Sequence, residues 1–310
     1  MNPTDPTAFP ASDTLTRAAS RPSRSTLGKS LMVLFKARVV LLLLFAAVGG
    51  AFVASDGWPG TWNLITLVIP GAMAAAGASA INQYLEQELD ARMERTRQRP
   101  LASRALVPGR WVPYLGGLMI LVPVLGLLPF NPALATFLLA GAGIYLGVYT
   151  IWLKPRTPLN IVIGGAAGSA AVLSGSAAVG HWHDPGAILL ALLVFLWTPT
   201  HFWSLAIAYR EDYARGGFPM LPVQTSARSA AGWVLLHAGG AALAALALSS
   251  RPNLGWGYLL PASLATLGLL AVSIALVAAP SKRRALVVFH TSNFYLAVVL
   301  LAICLSILLS

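Results

Sequence analysis

Acid is scarce in this chain. Ten Asp and Glu residues stand against 21 Lys and Arg in 310 residues, a formal net charge of +11. Cysteine is scarcer still, with Cys304 alone. One thiol excludes an internal disulfide and any metal site built from several cysteines, and inside an apolar run it reads as a small packing residue. Charged residues make up only 10% of the chain, where a soluble domain carries about 25%. What fills the space is apolar: 57% hydrophobic residues and a mean hydropathy of +0.72, above the roughly 45–50% of soluble proteins. In a soluble protein the positive charge would raise nucleic acid as a partner. Here the basic residues gather at the ends of apolar runs, so the partner they imply is the lipid bilayer and not nucleic acid.

Residues 1–28 are rich in Ser, Thr, Pro and Arg and lack apolar periodicity. They read as a disordered cytoplasmic tail, with the intramembrane domain over 29–310. The first apolar run is too long for a secretory signal and no small-residue cleavage site follows it, so it reads as an uncleaved span. A spanning helix needs about 20 mostly apolar residues. Nine runs qualify, near 34–54, 62–86, 112–129, 132–153, 159–180, 186–209, 230–249, 255–278 and 286–309. The expected fold is all-α, a polytopic bundle of nine transmembrane helices whose short links make successive helices antiparallel. With nine spans, every one of the 21 basic residues except Arg251 falls on one side. The excess of Lys and Arg on cytoplasmic loops then predicts an N-terminus in the cytoplasm and a C-terminus outside. Asp5 and Asp13 are residues that mitochondrial leaders avoid, so the expected location is the bacterial cytoplasmic (inner) membrane.

The few acids are concentrated. The stretch NQYLEQELDARMERTRQRPL, residues 82–101, holds Glu86, Glu88, Asp90 and Glu94, followed by Arg95, Arg97 and Arg99. On a helix, Asn82, Glu86 and Asp90 fall at i, i+4 and i+8, on one face in successive turns. Carboxylates at a membrane edge are costly unless paired or bound to a cation. Hard oxygen donors suit Mg²⁺, which commonly bridges carboxylates to substrate phosphates. A solvated helix end with its acids paired to nearby arginines is the plainer reading. Above the acids, GAMAAAGASA (71–80) either lets helices approach closely or leaves room for a ligand.

A second cluster, WTPTHFWSLAIAYREDYARGGFPMLPV (197–223), carries His201, Glu211 and Asp212 at the end of the sixth run. On a continuous helix, His201 and Asp212 are three turns apart and can face one cavity. Trp197, Phe202, Trp203 and Tyr209 serve as the walls of a flat or isoprenoid site, or as bundle packing and an interfacial belt.

The pattern Asn82-x₃-Glu86-x₃-Asp90 resembles the first aspartate-rich motif of the UbiA-type intramembrane prenyltransferases. Three other blocks narrow the resemblance to the protoheme IX farnesyltransferase (haem O synthase) family: Tyr149 to Gly165, Trp197 to Pro222, and Arg284 to Leu296. The similarity runs from about Leu34 to the C-terminus. It implies farnesyl transfer from farnesyl diphosphate to a vinyl group of haem B with addition of water, giving haem O for haem–copper oxidases. It also leaves haem A synthase open as a partner. In site terms it implies Mg²⁺ held by Asn82, Glu86 and Asp90 with Asp212 opposite. Arg38, Arg95, Arg99, Lys154 and Arg156 would neutralise the diphosphate, with Tyr149 as a donor. His201, Trp203 and Tyr209 would form the acceptor site, where His201 would orient haem, ligate it or hydrogen-bond within the site. Three departures stand out: Glu86 replaces the commoner Asp, Lys36-Ala37-Arg38 lacks the usual proline, and His201 replaces an acid of the quinone-forming relatives.

Three rival functions remain: a prenyltransferase acting on a quinone-type aromatic precursor, a polytopic transporter, and a non-catalytic haem-binding assembly factor. A transporter would collect its polar residues near the midplane, whereas here they gather at one face.

Overall fold

A computed structural model describes residues 24–310 of the chain. The tail expected over 1–28 lies outside the described residues except for its last five, which open helix α1 (Arg24–Leu34). The helices that follow are α2 (Ala37–Ser55), α3 (Thr61–Arg92), α4 (Trp111–Leu127) and α5 (Pro132–Gly143), the last running into a π-helix over Ile144–Leu153. Next come α6 (Asn160–Gly164), α7 (Ala166–Ala178), α8 (Pro185–Ala208), α9 (Arg210–Arg215) and α10 (Leu221–Gln224). The chain ends with α11 (Ala227–Leu248), α12 (Gly255–Ala278) and α13 (Lys282–Leu309). There is no β-strand among the described residues.

Eight of the described segments are long and apolar enough to cross a membrane. The run expected as a third span forms α4, an apolar helix of 17 residues, short of that length. Two other expected spans are interrupted. The fourth turns from α- to π-helix at Ile144, and the fifth breaks at Gly165 between α6 and α7. Large apolar side chains stand exposed around the outside, among them Leu118, Leu125, Leu243, Leu264 and Leu267. In water such a surface would be a liability; against lipid tails it costs nothing. The chain is a multi-pass membrane protein.

Local sequence accounts for the helix starts. Asn131 accepts the N–H of Leu134 at 3.0 Å and Asp184 that of Ala187 at 2.8 Å, and each cap is followed by a proline. That is the arrangement proline tolerates best, because its missing N–H would have no helical partner there. Consecutive long helices pack as neighbours, and α13 returns to α2, closing a ring. Small residues set the closest crossings. A Cβ on Gly175 would stand 1.8 Å from the carbonyl oxygen of Ala47, and one on Gly50 would stand 2.2 Å from that of Val172, so α2 and α7 touch backbone to backbone. The 71–80 stretch does the same at Gly77, whose Cβ would meet the Gly116 carbonyl of α4 at 2.5 Å. At that position the small residue serves packing.

Candidate active site

Asn82, Glu86 and Asp90 lie on α3, all at most 5% exposed. Each meets a cationic side chain from another segment. Lys36 Nζ donates to Asn82 Oδ1 at 2.8 Å and to the Tyr145 hydroxyl at 2.8 Å. Lys154 Nζ is paired with Glu86. Arg99 reaches back from the loop after α3 and holds both Asp90 oxygens, at 2.8 and 2.7 Å. The Asn82 amide donates to Thr150 Oγ1 at 3.2 Å. A buried row of three oxygen donors is thus faced by a row of three cations. Asn82, Glu86, Asp90, Arg99 and Lys154 from the sequence reading come together here.

Two backbone features build the cation row. In the π-helix, Lys154 N–H donates to the Tyr149 carbonyl at 2.8 Å, five residues back. This wider winding brings Tyr145, Tyr149, Thr150 and Lys154 to one side, a register that α-helical spacing would lose. The rings of Tyr145 and Tyr149 stack at 5.9 Å, and Lys154 Nζ lies 4.5 Å from the centroid of Phe218. The second feature is Lys36 itself, with φ 48° and ψ 47°, in the left-handed region. That conformation costs a residue with a Cβ about 1–2 kcal/mol, and such strain concentrates at functional positions. Gln83, one residue beyond Asn82, fixes the approach by donating to the α1 carbonyls of Val33 at 2.7 Å and Leu34 at 2.9 Å.

Lys36, Tyr145 and Thr150 are the residues that the sequence reading did not assign to the site. A signal existed for the first, a lysine set among apolar residues two places before Arg38. Arg38 itself is exposed and takes part in no hydrogen bond or ion pair of the cluster among the described residues. Arg156 is also exposed, and its guanidinium caps the carbonyls of Ile151 and Trp152 at the end of the π-helix.

The second cluster is arranged differently. Helix α8 ends at Ala208, and Tyr209, with φ −120° and ψ 35°, separates it from α9. The three-turn spacing between His201 and Asp212 therefore does not hold, because the axis they would share is broken. Asp212 turns to the loop after α3 and accepts the N–H groups of Glu94 at 3.2 Å and Arg95 at 3.1 Å, with Arg215 paired beside them. Burial alone would push the Asp212 carboxyl up; the Arg95 N–H, the Arg215 guanidinium and the Glu94 N–H outweigh it and hold it below its usual range. The Arg95 guanidinium lies 5.9 Å from the Tyr209 ring centroid and 5.6 Å from that of Tyr213.

His201 is clamped between the rings of Trp197, at 4.6 Å and 15°, and Phe289, at 4.3 Å and 27°. Its Nδ1 lies 3.0 Å from Ser292 Oγ. Trp203 faces elsewhere. It is 2% exposed, meets His237 of α11 edge-on at 5.1 Å, and its indole N–H has no partner among the described residues. It does not share the His201 slot.

The oxygen row suits Mg²⁺ by chemistry, since that ion takes one or two carboxylates and completes its shell with water and phosphate. Among the described residues no three His, Cys, Asp or Glu side chains form a group that could hold a metal ion.

A ring of apolar helices enclosing a buried row of acids and amines defines the class. The chain belongs to the UbiA prenyltransferase family, whose match runs over residues 42–299. The curated relatives narrow it further. Protoheme IX farnesyltransferase 1 of Natronomonas pharaonis is 40% identical over 264 residues, covering 85% of this chain and 58% of that protein. The protoheme IX farnesyltransferase of Metallosphaera sedula is 38% identical over 274 residues, covering 88% of this chain and 94% of that one. The chain thus spans little more than half of the first relative and nearly all of the second. Among solved structures, digeranylgeranylglyceryl phosphate synthase matches with a TM-score of 0.75 at 16% identity, over 92% of this chain and all of that one. A UbiA homolog from Archaeoglobus fulgidus bound to GPP and Mg²⁺ matches at 0.58 and 12%, over 89% and 99%. At these identities the likeness is one of fold.

Proposed function

We propose that this chain transfers a farnesyl group from farnesyl diphosphate to a vinyl group of haem B, with addition of water, giving haem O and diphosphate. The observation that carries the reading is the buried row Asn82–Glu86–Asp90 opposite Lys36, Lys154 and Arg99. The names of the curated relatives supply the acceptor. Residues 29–310 are the catalytic domain in this reading. The family and the charge distribution favour nine spans, counting α4, with the N-terminus in the cytoplasm of a bacterial inner membrane.

Mg²⁺ bound at the oxygen row would supply Lewis-acid neutralisation of the departing diphosphate. The protein's own groups do the rest. With Glu86 and Asp90 as the residues that would hold the ion, Lys154, Arg99 and Lys36 would be free to donate to diphosphate oxygens. Fixed donors aimed at charge that grows as the C1–O bond breaks stabilise the leaving group without reorganisation. The vinyl terminal carbon attacks the farnesyl C1. The cation left beside the porphyrin is captured by water, which loses a proton. Burial of the row among apolar helices keeps other water away. Haem A synthase fits as the consumer of the product.

The test is purified chain with haem B, farnesyl diphosphate and Mg²⁺, with haem O detected by mass. Asp90→Asn is expected to abolish haem O formation while the protein stays folded in the membrane. Turnover retained at saturating Mg²⁺ would overturn the metal role of the row.

A further inference from the structure

The π-helix does more than bring Thr150 beside Asn82; it commits the threonine's hydroxyl proton. Thr66, Thr136 and Thr198 each return their hydroxyl to the carbonyl four residues back, the usual bond for a threonine within an α-helix. Thr150 donates instead to the Tyr145 carbonyl, five residues back, at 2.8 Å. A hydroxyl has one proton. Thr150 Oγ1 therefore has only lone pairs left for Asn82, and the NH₂ group of the amide makes the 3.2 Å contact between them. The other end of the amide agrees. The Lys36 ammonium can only donate, so the atom 2.8 Å from it is Oδ1. A turned amide would set oxygen against oxygen at Thr150 and NH₂ against ammonium at Lys36. Asn82 and Thr150 are both buried, where an unmatched polar contact is costly.

We propose that Thr150 is a positioning residue for the oxygen row, holding the Asn82 amide so that its oxygen and not its NH₂ group is offered to a bound ion. This rests on the row being the Mg²⁺ site of the proposed function. Two groups orient the amide, Lys36 and Thr150. Lys36 gives up the amide oxygen when it turns to the diphosphate, and Thr150 is then the group that decides which end of the amide faces the ion. The choice matters because an amide oxygen is a ligand for a hard cation, while the NH₂ group only donates hydrogen bonds. Tyr145 ties the two partners together: its hydroxyl accepts from Lys36 and its carbonyl from Thr150. One turn of π winding thus holds both ends of the amide, and Thr150 acts on the ion without touching it.

The test uses the full chain in detergent with Mn²⁺ as the probe, an ion that takes the same oxygen donors as Mg²⁺, and reads free Mn²⁺ by electron paramagnetic resonance. Thr150→Val keeps the side chain's shape and removes the hydroxyl. It is expected to weaken Mn²⁺ binding by about 10–100-fold, the usual effect of losing the partner behind a metal ligand. Thr150→Ala is the second variant without the hydroxyl, and Thr150→Ser, which keeps it, should restore most of the affinity. Melting temperatures check that each variant is folded. In turnover, Thr150→Val should raise the Mg²⁺ concentration needed for half the maximal rate, with kcat at saturating Mg²⁺ falling far less. A mere loss of packing would not produce that split. Equal Mn²⁺ affinity in wild type and in the folded variants without the hydroxyl overturns the positioning role, as does a Thr150→Ser as weak as they are. Haem O formation by a wild type that binds no Mn²⁺ also overturns it and leaves farnesyl transfer standing. A wild type that binds Mn²⁺ and makes no haem O refutes the proposed function and leaves the Mn²⁺ comparison to decide the role of Thr150.

Discussion

Two acidic clusters close to the same membrane face use their charge in opposite ways. At α3, Glu86 and Asp90 are matched by side-chain cations from distant segments, Lys154 and Arg99. At α9, Asp212 is matched mainly by two backbone N–H groups and a neighbour three residues along. A backbone N–H cannot leave a carboxylate without undoing the loop that carries it. A lysine or arginine can swing to a new anion. The first arrangement leaves its carboxylates able to change partners and the second ties one to a loop backbone, although both look alike as runs of Asp, Glu and Arg.

Substitutions can press on that contrast, beginning with the largest expected effect. In Lys154→Met, Glu86 loses its partner while only 6% exposed. Breaking a buried pair costs about 3–5 kcal/mol, and removing one donor to a developing oxyanion lowers kcat by roughly 10²–10³-fold. Thermal unfolding in detergent and turnover together check this. Lys154→Met combined with Glu86→Gln is expected to recover stability but not turnover; recovery of both would dissolve the distinction.

Asp212→Asn is expected to cost about 1.5–3 kcal/mol, the range for hydrogen bonds to a charged group. The sign of its pH dependence follows from its position below the usual carboxylate range. Stability from Asp212 is full above the unfolded carboxyl value and drains away as pH falls through the lower folded value. Melting temperatures recorded from neutral pH downward should fall in wild type, and the fall should be shallower in Asp212→Asn. The smallest effect belongs to Glu94→Gln. The Glu94–Arg97 pair is 63% and 55% exposed, and exposed pairs contribute about 0–1 kcal/mol, so melting and turnover should both stay near wild type.

The α3 row was readable because an α-helix imposes its own arithmetic: Asn82, Glu86 and Asp90 share a face at any position along an unbroken helix. The ring of apolar helices was readable from run length for the same reason. The rest depended on departures from that arithmetic. Nothing in the apolar pattern of 132–153 marks the change to π winding that brings Tyr145 beside Lys36. The break at Tyr209 leaves the hydrophobic run before it unaltered, so His201 and Asp212 looked coaxial. Lys36 was passed over for Arg38 because spacing alone does not reveal a left-handed backbone.

Lys36 also sets two demands against each other at one residue. Its backbone would be most comfortable as glycine, which pays nothing for φ 48°, while its amine has no substitute in a residue without a side chain. A glycine there would relieve strain and sever the link between Asn82 and Tyr145 at once. The strain relieved, about 1–2 kcal/mol, is set against the partner lost by buried Asn82 and by Tyr145. The strained backbone is thus the cost of placing an amine where both can reach it.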